Sequence, residues 1–184
     1  MRVECLEVGN LDPRDAREIG ELVFATWPPK DEPGAQPKPM ANQSYDGPAK
    51  WRPRRLVVRL GGAGGRIVAQ AHVWGREIEA GGRRRVIAAL GQGCTSPEFR
   101  GRGFGRALVR RVFDLVDAGD FEASLFQTCV PGFYEKLGCR EVKNRVVNSL
   151  DQDPEARAFW DPWVIVYPAR AEFGAGAIDL RGPE

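Results

Sequence analysis

Apolar and polar residues repeat along this chain with two different periods, and each period marks an element. Leu108, Val112, Leu115 and Val116 stand at i, i+4, i+7 and i+8, widened by Val109 and Phe113, with Arg106, Arg110, Arg111, Asp114 and Asp117 on the other face. That spacing predicts an amphipathic helix, and Gly119 is its natural stop. Ile19, Leu22, Val23 and Phe24 give Arg14 to Thr26 one apolar side behind an Asp12-Pro13 start, which predicts a first helix ended by Trp27-Pro28-Pro29. Short apolar runs mark strands. Leu56 to Leu60 and Arg66 to Trp74, joined by Gly61 to Gly65, read as an antiparallel pair. Val86 to Leu90 reads as a buried strand running on to Cys94-Thr95, entered through the turn at Glu79 to Arg83 and broken by Ser96-Pro97. Phe121 to Cys129, Val142 to Leu150 and Trp163 to Tyr167 are three further strands. Neither 27–53, rich in Pro, Gly, Ala, Gln and Lys, nor the tail 169–184 carries a readable period.

The 184 residues, 42% of them hydrophobic, suffice for one core and hardly for two, so 1–184 is expected to be a single domain. Its 27 basic and 25 acidic residues leave a net charge of +2, too small to imply a nucleic-acid partner. Arg83-Arg84-Arg85 and the arginines from 100 to 111 make a local positive patch, but no RNA-binding motif accompanies it, so no nucleic acid is expected. Four cysteines, Cys5, Cys94, Cys129 and Cys139, form no Cys-x-x-Cys pair, and with a single histidine they argue against a metal. Cys94 and Cys129 are expected as buried small hydrophobes on strands. The charged start Met1 to Cys5 lacks the long apolar region of a signal peptide, and no run reaches membrane-spanning length. A cytoplasmic protein with reduced thiols and no membrane partner is the expectation.

Between the strand ending near Thr95 and the helix through Leu108 lies Arg100-Gly101-Arg102-Gly103-Phe104-Gly105-Arg106. Alternate glycines at such a junction let the backbone turn sharply and leave amides open at a helix N-terminus, where an anion fits. The arginines add charge-assisted donors, which suits a pyrophosphate better than a lone carboxylate. Spacing excludes two phosphate loops. A dinucleotide fingerprint needs Gly-x-Gly-x-x-Gly, yet three residues after Gly103 comes Arg106, and three after Gly105 comes Leu108. A Walker loop needs Gly-Lys-Ser/Thr, a tripeptide the chain lacks.

The spacing that does fit is Arg/Gln-x-x-Gly-x-Gly/Ala, met by Arg100, Gly103 and Gly105 after Ser96-Pro97-Glu98-Phe99. This resembles the acetyl-CoA loop of the GNAT acetyltransferase superfamily. Downstream, Pro131-Gly132-Phe133-Tyr134-Glu135-Lys136-Leu137-Gly138-Cys139 resembles that family's "FYEKLGF" helix at the usual distance. The resemblance covers roughly 54–148 well and the ends only in outline. It implies an α/β (α+β) GNAT fold, a mixed and mostly antiparallel sheet of about six or seven strands flanked by about four helices. It further implies that the backbone of Gly93, Cys94 and Thr95 pairs with the pantetheine arm of CoA, and that the cradle from Arg100 and Gly101 through Arg102, Gly103, Phe104 and Gly105 to Arg106 holds the pyrophosphate.

The chemistry implied is direct acyl transfer from acetyl-CoA to a primary amine of a small molecule or amino sugar, by a monomer or homodimer, with no metal. Such a reaction must align two substrates, remove a proton from an amine of pKa roughly 10.4, and protonate the departing thiolate. By the resemblance Tyr134 is the acid, a phenol near the thioester sulfur; its structural alternative is packing against the sheet. The base is not evident. Many family members carry a carboxylate on the strand before the loop, but here that stretch is Leu90-Gly91-Gln92-Gly93-Cys94-Thr95. His72 shares a strand face with Val68, Gln70 and Trp74 and is a weak candidate; Glu98, Glu77 and Glu79 are weaker. For the acceptor, 27–53 offers Trp27, Tyr45 and Trp51 as aromatic walls and Asp31, Glu32 and Asp46 as partners for a cation. Two alternatives stand beside this reading: a catalytically silent CoA-binding sensor of the same fold and, remotely, a basic nucleic-acid module.

Overall fold

Asp12 and Pro13 start the first helix by local chemistry. The Asp12 carboxylate accepts a hydrogen bond from the Arg14 amide at 2.8 Å, and Pro13 occupies the first turn, where its missing N–H costs nothing. The helix, α1 (Pro13–Thr26), buries Ala16, Ile19, Gly20 and Leu22. The computed structural model describes residues 1–153 and 158–182. The chain divides into two compact units, Met1–Trp74 with Leu90–Arg111, and Gly75–Ala89 with Val112–Glu184.

In the first unit, β1 (Glu4–Glu7), β2 (Arg54–Leu60) and the opening of β3 (Arg66–Ala80) pair antiparallel, with the end of β4 (Arg83–Thr95) next in order. Leu11, Ala16, Ile19, Leu22, Val57, Ile67 and Cys94 form one apolar cluster between α1 and the sheet. Burying such side chains stabilises the unit by about 1.5–3 kcal/mol each. Arg59 would oppose that burial as a lone charge, but it meets Glu4 at 3.0 Å and Asp15 at 2.7 Å. The segment 38–43 lies along α1: the Met40 amide donates to Ala16 O at 2.8 Å and the Leu11 amide to Asn42 Oδ1 at 3.0 Å. The helix α2 (Phe104–Asp117) begins in this unit and ends in the second, where Gly119 adopts φ 83°.

In the second unit the order runs from β3 and β4 to β5 (Ser124–Thr128), β8 (Trp163–Tyr167) and β6 (Arg140–Glu141). The β4–β5 ladder is parallel over Ala88–Ser124 and Ala89–Leu125; β8 pairs antiparallel with β5 and with β6. Phe113 stacks on Tyr167 at 3.9 Å, and the Tyr167 hydroxyl meets the Asp117 carboxylate at 2.8–2.9 Å. The short helix α3 (Pro131–Glu135) follows β5.

The sheet is mixed and mostly antiparallel, as expected. It has nine strands among the described residues, more than the six or seven anticipated, with three α-helices where four were expected. The strand expected to close at Trp74 continues to Ala80, because the Arg76 guanidinium finds Leu180 O at 3.1 Å and Gly182 O at 2.6 Å, so Gly75-Arg76 need not break it. The run expected as one strand from Val142 to Leu150 instead gives only β7 (Val146–Val147) after β6. It changes partners on the way, from Val164 O at the Val142 amide to the tail at Arg145 O and Val147 O. The tail is not featureless: β9 (Ile178–Asp179) pairs with β7 and with Glu79 and Ala80 of β3. Cys129 is corrected too. Strand β5 stops at Thr128, and Cys129 is exposed, whereas Cys94 is buried as expected.

Candidate functional site

Ser96 anchors the exit of β4 by donating its amide to Val68 O at 2.9 Å, and a single 3-10 turn, Pro97–Phe99, carries the chain to Arg100. Gly101 and Gly103 adopt φ 76° and 82°, the left-handed region that an L side chain resists, so their glycines are a geometric requirement of the turn. A Cβ at Gly93, Gly101 or Gly103 would meet no atom within 4 Å, which leaves open space against the backbone at all three. The first intrahelical bond of α2 runs from the Ala107 amide to Gly103 O at 3.0 Å. Helix geometry therefore leaves the amides of Phe104, Gly105 and Arg106 without an intrahelical acceptor. Arg100, Arg102 and Arg106 are exposed around them; Arg100 Nε donates to Thr95 O at 3.2 Å, and Arg102 lies 5.1 Å over the Phe99 ring. The arrangement holds backbone donors, a helix dipole and cationic side chains at one place, which suits a polyanion such as a pyrophosphate.

The strand end that leads into this loop is distorted. Gln92 takes φ 49°, a left-handed conformation for a residue with a side chain. Gln70 Nε2 donates to Gln92 O and, at 3.4 Å, to Cys94 Sγ. Arg55 Nη1 donates to Gln92 Oε1 at 2.7 Å and to Gln70 Oε1 at 3.0 Å. Burial pushes the Cys94 thiol above its usual range, so it is no thiolate nucleophile.

His72 stands directly across from Arg55 in the β2–β3 ladder and packs on Trp74 at 4.7 Å. Among the described residues its buried Nε2 has no hydrogen-bond partner. Burial, and then the Arg55 charge, hold its pKa down to about 3, so it stays neutral and weakly basic at physiological pH. The three glutamates weighed as bases are engaged: Glu98 with Arg66 at 3.1 Å, Glu77 with Arg84 at 3.4 Å, and Glu79 with Arg181 at 3.1 Å.

Tyr134 belongs to the second unit. Its ring packs at 4.7 Å on Phe126 and edge-on to Phe133 at 4.9 Å, and it is half-buried. Burial pushes its phenol up to about 12, against a hydrogen bond with the Thr128 side chain that pulls the other way. The phenol is therefore protonated across the physiological range, which is the state a proton donor needs. In 27–53, Asp31, Glu32 and Asp46 are exposed and Trp27 is half-exposed, while Trp51 Nε1 is buried with no hydrogen-bond partner among the described residues. No group of three or more His, Cys, Asp and Glu side chains placed to hold a metal occurs among the described residues.

A family model described as "Acetyltransferase (GNAT) domain" matches residues 10–142, well over half of the chain. The chain belongs to the GNAT acetyltransferase family. No curated protein matches it. Among solved structures, an acyl-CoA N-acyltransferase from Pseudomonas aeruginosa superposes with a TM-score of 0.59 at 12% identity, over 90% of this chain and 97% of that one. A probable N-acyltransferase from Enterococcus faecalis, of unknown function, gives a TM-score of 0.52 at 14% identity over 77% of this chain and 33% of its own. A GCN5-related N-acetyltransferase from Kribbella flavida is 30% identical with a TM-score of 0.43, over 47% of this chain and 22% of its own. This GNAT chain thus spans between about a fifth and a third of the latter two proteins. The Pseudomonas aeruginosa and Enterococcus faecalis likenesses bear on the fold.

Sequence reasoning missed Arg55 in this GNAT domain. The apolar run starts the strand at Leu56, whereas β2 opens two residues earlier, at Arg54, and takes in Arg55. The signal available was the alternation Arg55, Val57, Arg59, which puts both arginines on the face that carries Val57 into the core.

Proposed function

We propose that this protein is an acetyl-CoA-dependent N-acetyltransferase that passes the acyl group directly to a primary amine of a small molecule or amino sugar, without a covalent enzyme intermediate. The observation that carries the reading is the junction of β4 and α2, where three amides without intrahelical acceptors, open glycine backbone and exposed arginines converge on a site for a pyrophosphate. Arg100, Gly101, Arg102, Gly103, Phe104, Gly105 and Arg106 hold the pyrophosphate of CoA, and the backbone of Gly93, Cys94 and Thr95 pairs with its pantetheine arm. The bound acetyl-CoA supplies the thioester.

Tyr134 is the proton donor to the leaving thiolate, held protonated by burial. The amine loses its proton to water that backbone carbonyls orient, since His72 is too weakly basic and Glu98, Glu77 and Glu79 are held in ion pairs. Segment 27–53 lines the acceptor side. That want of a side-chain base also favours a second reading, a CoA-binding sensor without transfer. Calorimetry with CoA and thiol release from acetyl-CoA over a panel of amines and amino sugars separate the two. Binding with amine-dependent release supports the transferase, and binding without release on any amine supports the sensor. No binding of CoA ends both.

A further inference from the structure

Arg55 is 1% exposed, and among the described residues no carboxylate pairs with it. Four positions along the same strand, Arg59 is buried against two carboxylates, so the fold has the means to neutralise a guanidinium here and does not use it at Arg55. A buried charge without a counterion is costly, and hydrogen bonds to neutral amides return only part of that cost. Stability alone therefore gives no reason for an arginine at this position.

What Arg55 does hold is Gln92. One guanidinium nitrogen, Nη1, reaches the side-chain oxygens of both Gln70 and Gln92, and Gln70 turns its amide to Gln92 O and Cys94 Sγ. Gln92 is thereby tied by its side chain and by its carbonyl while its backbone sits at φ 49°, a conformation that persists only where neighbours over-determine it. Directly after it come Gly93, Cys94 and Thr95. Gln92 and Gly93 are exposed, so the clamp works from the core on backbone that faces a ligand.

We propose that Arg55 is a positioning residue for acyl transfer: through Gln70 and Gln92 it fixes the distorted end of β4 so that Gly93 to Thr95 meet the pantetheine and thioester arm in one geometry. This rests on the acetyl-CoA reading above. It separates two halves of one ligand, because the pyrophosphate loop lies beyond the clamp and the pantetheine strand lies on it.

The test compares acetyl-CoA with adenosine 3′-phosphate 5′-diphosphate, the fragment of CoA that lacks the arm, on wild type, Arg55→Met, Arg55→Lys and Gln92→Gly. Wild type that binds neither ligand overturns the acetyl-CoA reading itself, whatever the variants do. With wild type binding both, Arg55→Met is expected to remain folded and bind acetyl-CoA about tenfold more weakly, about 1.4 kcal/mol. Its affinity for the fragment stays within about twofold, Arg55→Lys falls between, and the amides from 92 to 95 exchange faster. Equal losses for both ligands, or unchanged acetyl-CoA affinity with unchanged exchange at 92–95, overturn the proposal. Should Arg55→Met fail to fold, Gln92→Gly decides. Glycine accepts φ 49° without strain and removes the side-chain acceptor, so the same selective loss is expected, and wild-type binding by this variant refutes the clamp.

Discussion

Replacing His72 by glutamine should make the protein markedly less sensitive to mild acid. His72 is the chain's single histidine, and burial followed by the Arg55 charge lowers its pKa from 6.5 to about 3. The unfolded chain takes up a proton below 6.5 that the folded chain refuses, so stability from this site is complete above that value. It is lost as pH falls toward about 3, at up to about 1.4 kcal/mol per pH unit. Between pH 7 and pH 5 the loss comes to about 2 kcal/mol. Urea unfolding at pH 7 and pH 5, followed by tryptophan fluorescence, should show that difference in wild type and its disappearance in His72→Gln. The imidazole resonances, with one histidine to assign, should not shift between pH 8 and pH 5. A proton NMR midpoint near 6.5, or the same acid sensitivity in both proteins, would refute the argument and restore His72 as a base for the amine.

Four further outcomes concern Tyr134, Gly103 and Gly20. Tyr134→Phe should lower the transfer rate by about 100-fold or more while acetyl-CoA affinity holds, within the range of acid catalysis; a full rate in the folded variant ends the acid role. With its phenol up at about 12, Tyr134 should also impose no alkaline fall in rate below about pH 10. Gly103→Val places a β-branched residue at φ 82°, where nothing within 4 Å clashes, so the cost is backbone strain of about 1–2 kcal/mol, seen in thermal melts, together with weakened CoA binding by calorimetry. Gly20→Ala would gain up to about 1 kcal/mol from helix propensity alone. A Cβ there overlaps the Lys38 carbonyl, so a net loss of about 1–3 kcal/mol in urea unfolding is expected, and a gain would show that 38–43 does not press on α1.

Elements whose cause is local can be read from the order of residues alone. The 3.6-residue stripe from Leu108 to Val116, the Asp12-Pro13 cap and the turn at Gly101 and Gly103 were legible, because periodicity, capping and left-handed turns act over a few residues. Tertiary structure decided the rest. Whether Arg76 breaks a strand depended on carbonyls at Leu180 and Gly182, and whether the tail forms β9 depended on an edge offered by β3 and β7. His72 reads as a candidate base until its cross-strand neighbour proves to be a buried arginine. Arg55, outside the apolar run that marks the strand, gains its setting only where Gln70 and Gln92 meet it. In each case the deciding partner lies 15 or more residues away, and what a polar side chain does inside a sheet is set by that partner and by the water it has lost.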